Sequence, residues 1–165
     1  MEQGSTRTRV LFVCTGNSAR SQMAEALLSQ DPAYEVASAG TEPKGVHALT
    51  VRVLDEAGID WRAARSKAVT EFLGQPFDEV ITVCDRARET CPYFPGPARR
   101  RHWDIDDPAA AEGDDERRLA AFRAARDELA AHIAALRAER APAGPAATTS
   151  ASGNPSTGST PDPAP

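Results

Sequence analysis

The sequence predicts an α/β fold in which a parallel β-sheet has helices on both of its faces. Short apolar runs alternate along the chain with segments whose apolar residues recur at helical spacing, which is the pattern of β-α units. The first run, residues 10–13, is apolar without a break, as expected for a strand covered on both sides. With 165 residues, 41% of them hydrophobic, the chain has the length of one domain.

The first half of the chain contains two β-α units. The strand at residues 10–13 ends at Cys14, and turn-forming residues separate it from a helix that we expect over residues 20–29. A second strand is predicted over residues 34–38, and a second helix over residues 46–57.

The second half continues the alternation. A third buried strand is predicted within residues 77–84 and a short fourth strand over residues 100–103. A closing amphipathic helix is marked by apolar residues at helical spacing, namely Leu119, Phe122, Leu129, Ile133 and Leu136. Because parallel sheets place ligand sites beyond the carboxyl ends of their strands, Cys14 and Cys84 can share one rim of the sheet.

The composition changes abruptly after residue 140. The last 25 residues contain six prolines and only one charged residue, Asp162. Such a segment has too few large apolar side chains to form a core. We therefore predict a folded domain over residues 1–140 and a disordered tail rich in Pro, Ser, Thr and Ala over residues 141–165.

The overall charge and the cysteine usage exclude several classes of protein. A formal net charge of -5 gives no positive field for nucleic acid or an anionic membrane, so an anionic substrate must be held locally. No apolar run has the length of a membrane span or a signal peptide. Three cysteines at wide, uneven spacing fit neither a disulfide framework nor a zinc site. We expect a cytoplasmic monomer with no metal, cofactor, nucleic acid or membrane partner.

The loop after the first strand has the pattern of an anion-binding site. Its amides converge at a helix N-terminus, which forms a positively polarised nest. Five residues separate Cys14 from Arg20, whose guanidinium can bind two oxygens of a tetrahedral oxyanion. The residues predicted to bind the oxyanion are Thr15, Gly16, Asn17, Ser18, Ala19, Arg20 and Ser21.

The same positive surroundings stabilise a thiolate. We therefore expect Cys14 to be ionised at neutral pH, with the Ser21 hydroxyl as a donor to its sulfur. The structural alternative is that Cys14 is a small buried side chain that ends a strand. The functional interpretation is favoured because the strand, the turn and the helix start all fall where the chemistry needs them.

A second pair of thiols, Cys84 and Cys91, stands seven positions apart. This spacing is wrong for a zinc knuckle and too wide for a Cys-x-x-Cys redox motif. On a rigid helix the two sulfurs would lie about 10 Å apart, so a disulfide between them requires local unwinding. The segment is a candidate redox switch, and two unrelated thiols are the alternative.

Residues 10–25, VLFVCTGNSARSQMAE, resemble the active-site loop of the low-molecular-weight protein tyrosine phosphatase superfamily. Within them, CTGNSARSQMAE is most similar to the thioredoxin-coupled arsenate reductases, and the resemblance extends over residues 8–138. It implies a four-stranded parallel sheet flanked by helices. It also implies an enzyme of arsenical resistance that reduces arsenate to arsenite, with phosphate as a competing anion.

The resemblance assigns roles to individual residues. Cys14 matches the nucleophile, Arg20 the oxyanion-binding arginine and Asp107 the general acid that protonates the leaving oxygen. On the residues alone, Asp107 with the proline after it is also an ordinary turn. Asp104 and Asp106 lie close enough in the sequence to be confused with it.

The resemblance also implies a disulfide relay. Cys84 attacks Cys14 and releases arsenite, and Cys91 then attacks Cys84. The resulting Cys84–Cys91 disulfide is the redox-active bond that thioredoxin, the expected partner, reduces.

The sequence departs from the family at a potassium site that some members have. The corresponding positions are Asn17, Glu25, Ser38, Arg65 and Lys67. The last two are cations where oxygen ligands are required, so we predict no potassium site and an ion pair between Lys67 and Glu25 in its place.

Two other functions stay open. One is a low-molecular-weight protein tyrosine phosphatase in which water hydrolyses a phosphocysteine at Cys14. Against it, Ala109 and Ala110 stand where such phosphatases usually have aromatic residues, and Cys84 and Cys91 would be idle. The other is a non-enzymatic thiol redox sensor, which predicts binding without turnover.

Overall fold

The computed structural model describes residues 7–84, 87, 89 and 98–140. The chain divides into two compact units, residues 1–133 and 134–165. Of the second unit, residues 134–140 are described and are helical. The predicted tail, residues 141–165, lies outside the described residues, so its disorder stays a prediction. In the described part of the chain, no helix combines the length and apolarity that a membrane span requires.

Four parallel strands form one sheet, in the order β2-β1-β3-β4. The strands are β1 (Thr8–Cys14), β2 (Tyr34–Gly40), β3 (Glu79–Thr82) and β4 (Arg99–His102). The α-helices whose bounds lie in the described ranges are α1 (Arg20–Leu28), α2 (Ala48–Glu56) and α3 (Asp115–Arg140), and residues 87 and 89 are also helical. Short 3-10 helices lie at Val69–Phe72 and Pro108–Ala110. The predicted fold class, an α/β fold with a four-stranded parallel sheet, is confirmed.

The central strand β1 shows that the sheet is covered on both faces. Its residues Val10, Leu11, Phe12 and Val13 are each 0% exposed. Because successive side chains of a strand point to opposite faces, this burial requires packing on either side of the sheet. Each such side chain contributes about 1.5–3 kcal/mol by leaving water, so the apolar run fixes the strand at the centre of the core.

Several element bounds differ from those predicted, among them those of α2 and β3. Helix α2 begins at Ala48 and not at residue 46, because the imidazole Nδ1 of His47 accepts a hydrogen bond from Leu49 N at 3.0 Å and caps the helix. Strand β3 is shorter than the predicted 77–84. It ends at Thr82, so Cys84 lies two residues beyond the sheet.

The strand register brings the predicted site together. Cys14 is opposite Gly40 of β2, and Val13 is opposite Thr82 of β3. Because all the strands run in the same direction, the residues that follow each strand meet at one edge of the sheet. Cys14 and Cys84 therefore lie on the same rim, as the sequence allows.

Candidate active site

Cys14 ends β1 and is buried, with 3% of its surface exposed. Its Sγ lies 2.7 Å from Ser21 Oγ and accepts a hydrogen bond from the backbone N–H of Asn17 at 3.2 Å. Asn17 Nδ2 donates to Ser21 Oγ at 2.9 Å, so the hydroxyl hydrogen of Ser21 is available to point at the sulfur. Two donors thus converge on the Cys14 sulfur, as a thiolate requires.

Asn17 holds the loop between β1 and α1 in shape. Its φ of 46° lies in the left-handed region, which asparagine tolerates better than most residues. Its side chain is fully buried, and its Nδ2 also donates to Ser38 Oγ at 2.9 Å. Its Oδ1 accepts from Gln22 Nε2 and from Lys67 N, both at 2.8 Å. Four partners from three parts of the chain therefore fix this one side chain.

The loop carbonyls face away from the sulfur, toward neighbouring segments. They accept hydrogen bonds from backbone N–H groups of the segment after β2, and from Ser66 Oγ, at 2.6 to 3.1 Å. The accepting carbonyls are those of Cys14, Thr15, Gly16, Asn17 and Ser18. Within the described part of the chain, the N–H groups of Gly16, Ser18, Ala19 and Arg20 donate to no protein acceptor. The loop therefore leaves N–H groups without protein acceptors, as an anion-binding nest requires, and their binding of an oxyanion stays a prediction.

Gly40 permits a close approach of β2 to the loop. A Cβ atom at this position would lie 2.5 Å from Thr15 O and 2.8 Å from Asn17 N, closer than real Cβ atoms come to such atoms. The Gly40 N–H is itself bonded to Lys67 O at 2.8 Å, so the strand cannot easily withdraw. Only glycine fits between these two backbones without displacing one of them.

A cavity of about 340 Å³ opens above the loop. Its lining includes both described cysteines, two cationic residues and one acidic residue. The lining residues are Cys14, Thr15, Gly16, Ser18, Ala19, Arg20, Lys44, Cys84, Asp107 and Ala109. The structure thus gathers most of the residues predicted for the site around one space.

Arg20 and Asp107, which both line this cavity, form an ion pair. Arg20 Nη1 donates to Ile105 O at 3.0 Å, and its Nη2 lies 3.7 Å from Asp107 Oδ2. Asp107 Oδ1 accepts from Ala109 N at 2.9 Å and caps the short 3-10 helix, which fixes the carboxyl group at the cavity. All three neighbouring aspartates, Asp104, Asp106 and Asp107, are exposed, but of these Asp107 alone lines the cavity.

Cys84 is the second buried free thiol of the described residues. It is 5% exposed, its Sγ lies 3.4 Å from Thr15 Oγ1, and it accepts a hydrogen bond from Ala87 N at 3.4 Å. The contact with Thr15 ties Cys84 to the loop that carries Cys14. Cys91 lies outside the described residues, and with it the predicted Cys84–Cys91 disulfide.

The ion pair predicted between Lys67 and Glu25 is present. Lys67 Nζ lies 3.4 Å from Glu25 Oε1, and both side chains are mostly buried. The same carboxylate oxygen accepts from Ser38 Oγ at 2.6 Å, which links the pair to Asn17. Arg65 turns outward to Glu71 at 2.9 Å, and their hydrogen bonds lower the pKa of the Glu71 carboxyl group. Among the described residues, no group of three or more His, Cys, Asp or Glu side chains is arranged to hold a metal ion.

Four residues that support the loop or the cavity were not predicted from the sequence. Gln22 is fully buried and anchors Asn17, and Trp61 Nε1 in turn donates to Gln22 Oε1 at 2.8 Å. Lys44 lines the cavity. His47, to which the sequence assigned no role, caps α2 and donates its backbone N–H to Ser18 O at 3.0 Å. Gln22 stands inside the loop motif, and this position could have predicted its supporting role from the sequence. The roles of the other residues depend on contacts that only the fold creates.

The environment of His47 keeps its imidazole neutral. Burial lowers the pKa of His47, the cations Arg118 and Lys44 lower it further, and Asp107 opposes them. The neutral form suits the observed cap, because only an unprotonated Nδ1 can accept a hydrogen bond from Leu49 N.

Comparisons with known proteins agree with this geometry. A family model described as low molecular weight phosphotyrosine protein phosphatase matches residues 9–141, which include every residue that lines the cavity. The arsenate reductase of Halalkalibacterium halodurans is 43% identical over 126 residues, which cover 75% of this chain and 91% of that protein.

Solved structures give the same picture. A structure described as an arsenate reductase in oxidized state aligns with a TM-score of 0.69 and 28% identity, over 80% of this chain and 98% of that chain. A second, described as an arsenate reductase in the phosphate binding state, aligns with a TM-score of 0.64 and 29% identity, over the same shares of the two chains.

Proposed function

We propose that this chain, which belongs to the low molecular weight phosphotyrosine protein phosphatase family, reduces arsenate to arsenite by a thiol relay. The observation that carries the proposal is the pair of free thiols, Cys14 and Cys84, that line one cavity. A phosphatase needs only the first of them. A reductase that transfers two electrons to a bound oxyanion needs both.

The first step is capture of the oxyanion. The loop N–H groups and the Arg20 guanidinium supply donors on the floor and side of the cavity. The relative solved in the phosphate binding state supports an oxyanion of this shape as the ligand of such a fold. Arsenate has the same tetrahedral shape as phosphate, so the two anions compete for the site.

The second step forms a bond between sulfur and arsenic. The Cys14 thiolate, held by Ser21 and by the N–H of Asn17, attacks the arsenic atom. One arsenate oxygen leaves as water, and its departure needs a proton. Asp107 is held at the cavity by Ala109 N and supplies that proton as the general acid.

The third step transfers the electrons. The Cys84 thiolate attacks the Cys14 sulfur, so a sulfur–sulfur bond forms and the sulfur–arsenic bond breaks. The electron pair of the broken bond stays on arsenic, which is thereby reduced from the +5 to the +3 state and leaves as arsenite. The two cysteines are oxidised to a disulfide, which balances the two electrons.

The last step regenerates the nucleophile. Cys91 attacks the Cys84 sulfur, the Cys14 thiolate is released, and a Cys84–Cys91 disulfide remains for thioredoxin to reduce. Cys91 lies outside the described residues, so its part rests on the sequence resemblance. We place the reaction in the cytoplasm, where the thiols are kept reduced, and assign it to a monomer.

A coupled assay tests this function. NADPH oxidation is followed in the presence of thioredoxin, thioredoxin reductase and arsenate. We expect steady turnover by the wild type and none by Cys84→Ser, which should still bind inorganic phosphate because its anion loop is unchanged. Sustained arsenate reduction by Cys84→Ser would exclude the relay.

The same assay separates the alternatives. A phosphatase would hydrolyse an aryl phosphate rapidly and leave NADPH unchanged with arsenate, and a thiol sensor would bind anions with no turnover of either substrate. The family model and the Cys14–Arg20–Asp107 arrangement are compatible with slow aryl phosphate hydrolysis as a side activity. Ala109 is the residue that lines the cavity beside Asp107, and its methyl group gives little surface to a phosphotyrosine ring.

A further inference from the structure

Lys44 lies across the anion loop although it is 28 positions away from Gly16 in the sequence. Its backbone N–H donates to Gly16 O at 3.0 Å. Its side chain covers Gly16, because a Cβ atom built on that glycine would lie 2.8 Å from Lys44 Cε and 3.1 Å from Cγ. The stem of the lysine is therefore laid over the loop, and Lys44 is one of the residues that line the cavity.

In the described part of the chain, no carboxylate forms an ion pair with the Lys44 ammonium group. Its field reaches other groups near the cavity, since Lys44 is one of the cations that lower the pKa of His47. Arg20 differs in this respect, because it already faces Asp107 at 3.7 Å and bonds Ile105 O.

The balance of charge around the cavity depends on Lys44. Among the described residues, the charged side chains that line it are the cations Arg20 and Lys44 and the carboxyl group of Asp107. Without Lys44, Arg20 would be the one cation of the described lining that favours the entry of a dianion, beside the loop N–H groups.

We propose that Lys44 is a substrate-binding residue that supplies the second positive charge of the cavity and gives it affinity for doubly charged tetrahedral oxyanions. The inference deepens the proposed function and rests on it for the identity of the substrate. Arg20 binds the oxyanion by directed hydrogen bonds, whereas Lys44 acts at the rim through its charge. The charge of Lys44, and not a contact specific to arsenic, is the feature that matters.

The test compares charge with shape at position 44. Lys44→Met keeps most of the stem over Gly16 and removes the charge, and Lys44→Arg keeps the charge. The dissociation constant of inorganic phosphate is measured by calorimetry for each variant. A single exposed charge pair changes affinity by about threefold, and a dianion doubles this free energy and so squares the factor, so we expect about tenfold weaker binding to Lys44→Met. Lys44→Arg should stay within about twofold of the wild type.

Kinetics and salt give readouts that a packing role would not change. With arsenate, KM should rise about tenfold in Lys44→Met while kcat changes by less than about twofold, because a rim charge acts on binding and not on bond making. The difference between Lys44→Met and the wild type should shrink as sodium chloride is raised, since salt screens exposed charges. Arg52→Met is the matched control. It removes one exposed cation from α2 that does not line the cavity, and should leave both constants unchanged.

Two results would overturn the inference: phosphate affinity equal in Lys44→Met and the wild type, or an equal loss in Lys44→Arg and Lys44→Met. Circular dichroism and thermal unfolding of the variants verify that the fold is retained. The phosphate measurement needs no turnover, so it also separates the two proposals. If no form of the protein reduces arsenate but Lys44→Met binds phosphate more weakly, the proposed function fails and the role of Lys44 stands.

Discussion

Gly40→Ala should disable the anion loop without replacing any residue that is predicted to contact substrate. The added Cβ would lie 2.5 Å from Thr15 O, and since such contacts are essentially never closer than 3.0 Å, the backbone must shift by about 0.5 Å or more. An active-site displacement of 1 Å costs about 100-fold in rate, so we expect kcat/KM for arsenate to fall by about 10- to 100-fold. Overpacking of this kind lowers the free energy of unfolding by about 1–3 kcal/mol.

The assay pairs activity with stability. Arsenate turnover and phosphate affinity are measured beside urea unfolding for Gly40→Ala and for a control, Gly58→Ala. Gly58 has a φ of +83° and no atom within 4 Å of its would-be Cβ, so alanine there strains the backbone by about 1 kcal/mol but leaves the loop alone. If both variants lose similar stability and Gly40→Ala keeps its activity within about twofold, the close approach does not position the loop.

Three further predictions concern groups around the site and on α2. Ser21→Ala removes the hydroxyl 2.7 Å from Cys14 Sγ. The alkylation rate of Cys14 at neutral pH, followed by peptide mass spectrometry, should therefore fall about 10- to 100-fold. An unchanged rate would show that the Ser21 hydroxyl does not stabilise the thiolate. Lys67→Met leaves the mostly buried Glu25 carboxylate without its cation and should cost about 2–3 kcal/mol in urea unfolding, most of which Lys67→Met/Glu25→Gln should recover; a double variant no more stable than the single one would contradict this. Hydrogen bonds from Arg123, and then from Arg126, lower the pKa of Glu56 from 4.5 to about 2. The contribution of ionised Glu56 to the free energy of unfolding is therefore present above pH 4.5 and is lost as the pH falls toward 2. Glu56→Gln should accordingly lose less stability than the wild type across that pH window in urea titrations, and parallel curves would refute the assignment.

The fold followed from the sequence because its elements are locally encoded. The unbroken apolar run of β1 is typical of a strand buried on both faces, and it lies within the sheet between β2 and β3. The helical spacing of Leu119, Phe122 and Leu129 likewise predicted α3, where all three are buried. The start of α2 was predicted less well, since the hydrophobic pattern does not reveal that His47 would serve as its cap.

The site was predictable where its chemistry is local and unpredictable where it depends on distant contacts. Cys14, Asn17, Arg20 and Ser21 stand within eight consecutive positions, so their motif carries the geometry. The position of Asp107 at the cavity needed the resemblance, since the residues alone do not separate it from neighbouring aspartates.

The remaining supports are contacts between segments far apart in the sequence. Gly40 meets Thr15, and Lys44 covers Gly16, only because β2 and the segment after it run beside the loop. The ion pair of Lys67 with Glu25 was an exception. It could be predicted because the resemblance identified both positions as neighbours.

The central claim is that Cys14 and Cys84 act in turn on one oxyanion held in one cavity. A single-turnover experiment with Cys91→Ser tests it most directly, because this variant has both of these thiols but cannot complete the relay. The reduced protein is mixed with excess arsenate without any reductant, arsenite is quantified, and the disulfides are mapped by mass spectrometry. We predict one arsenite for each protein molecule and a matching quantity of Cys14–Cys84 disulfide. Arsenite without that disulfide, or neither product, would contradict the claim.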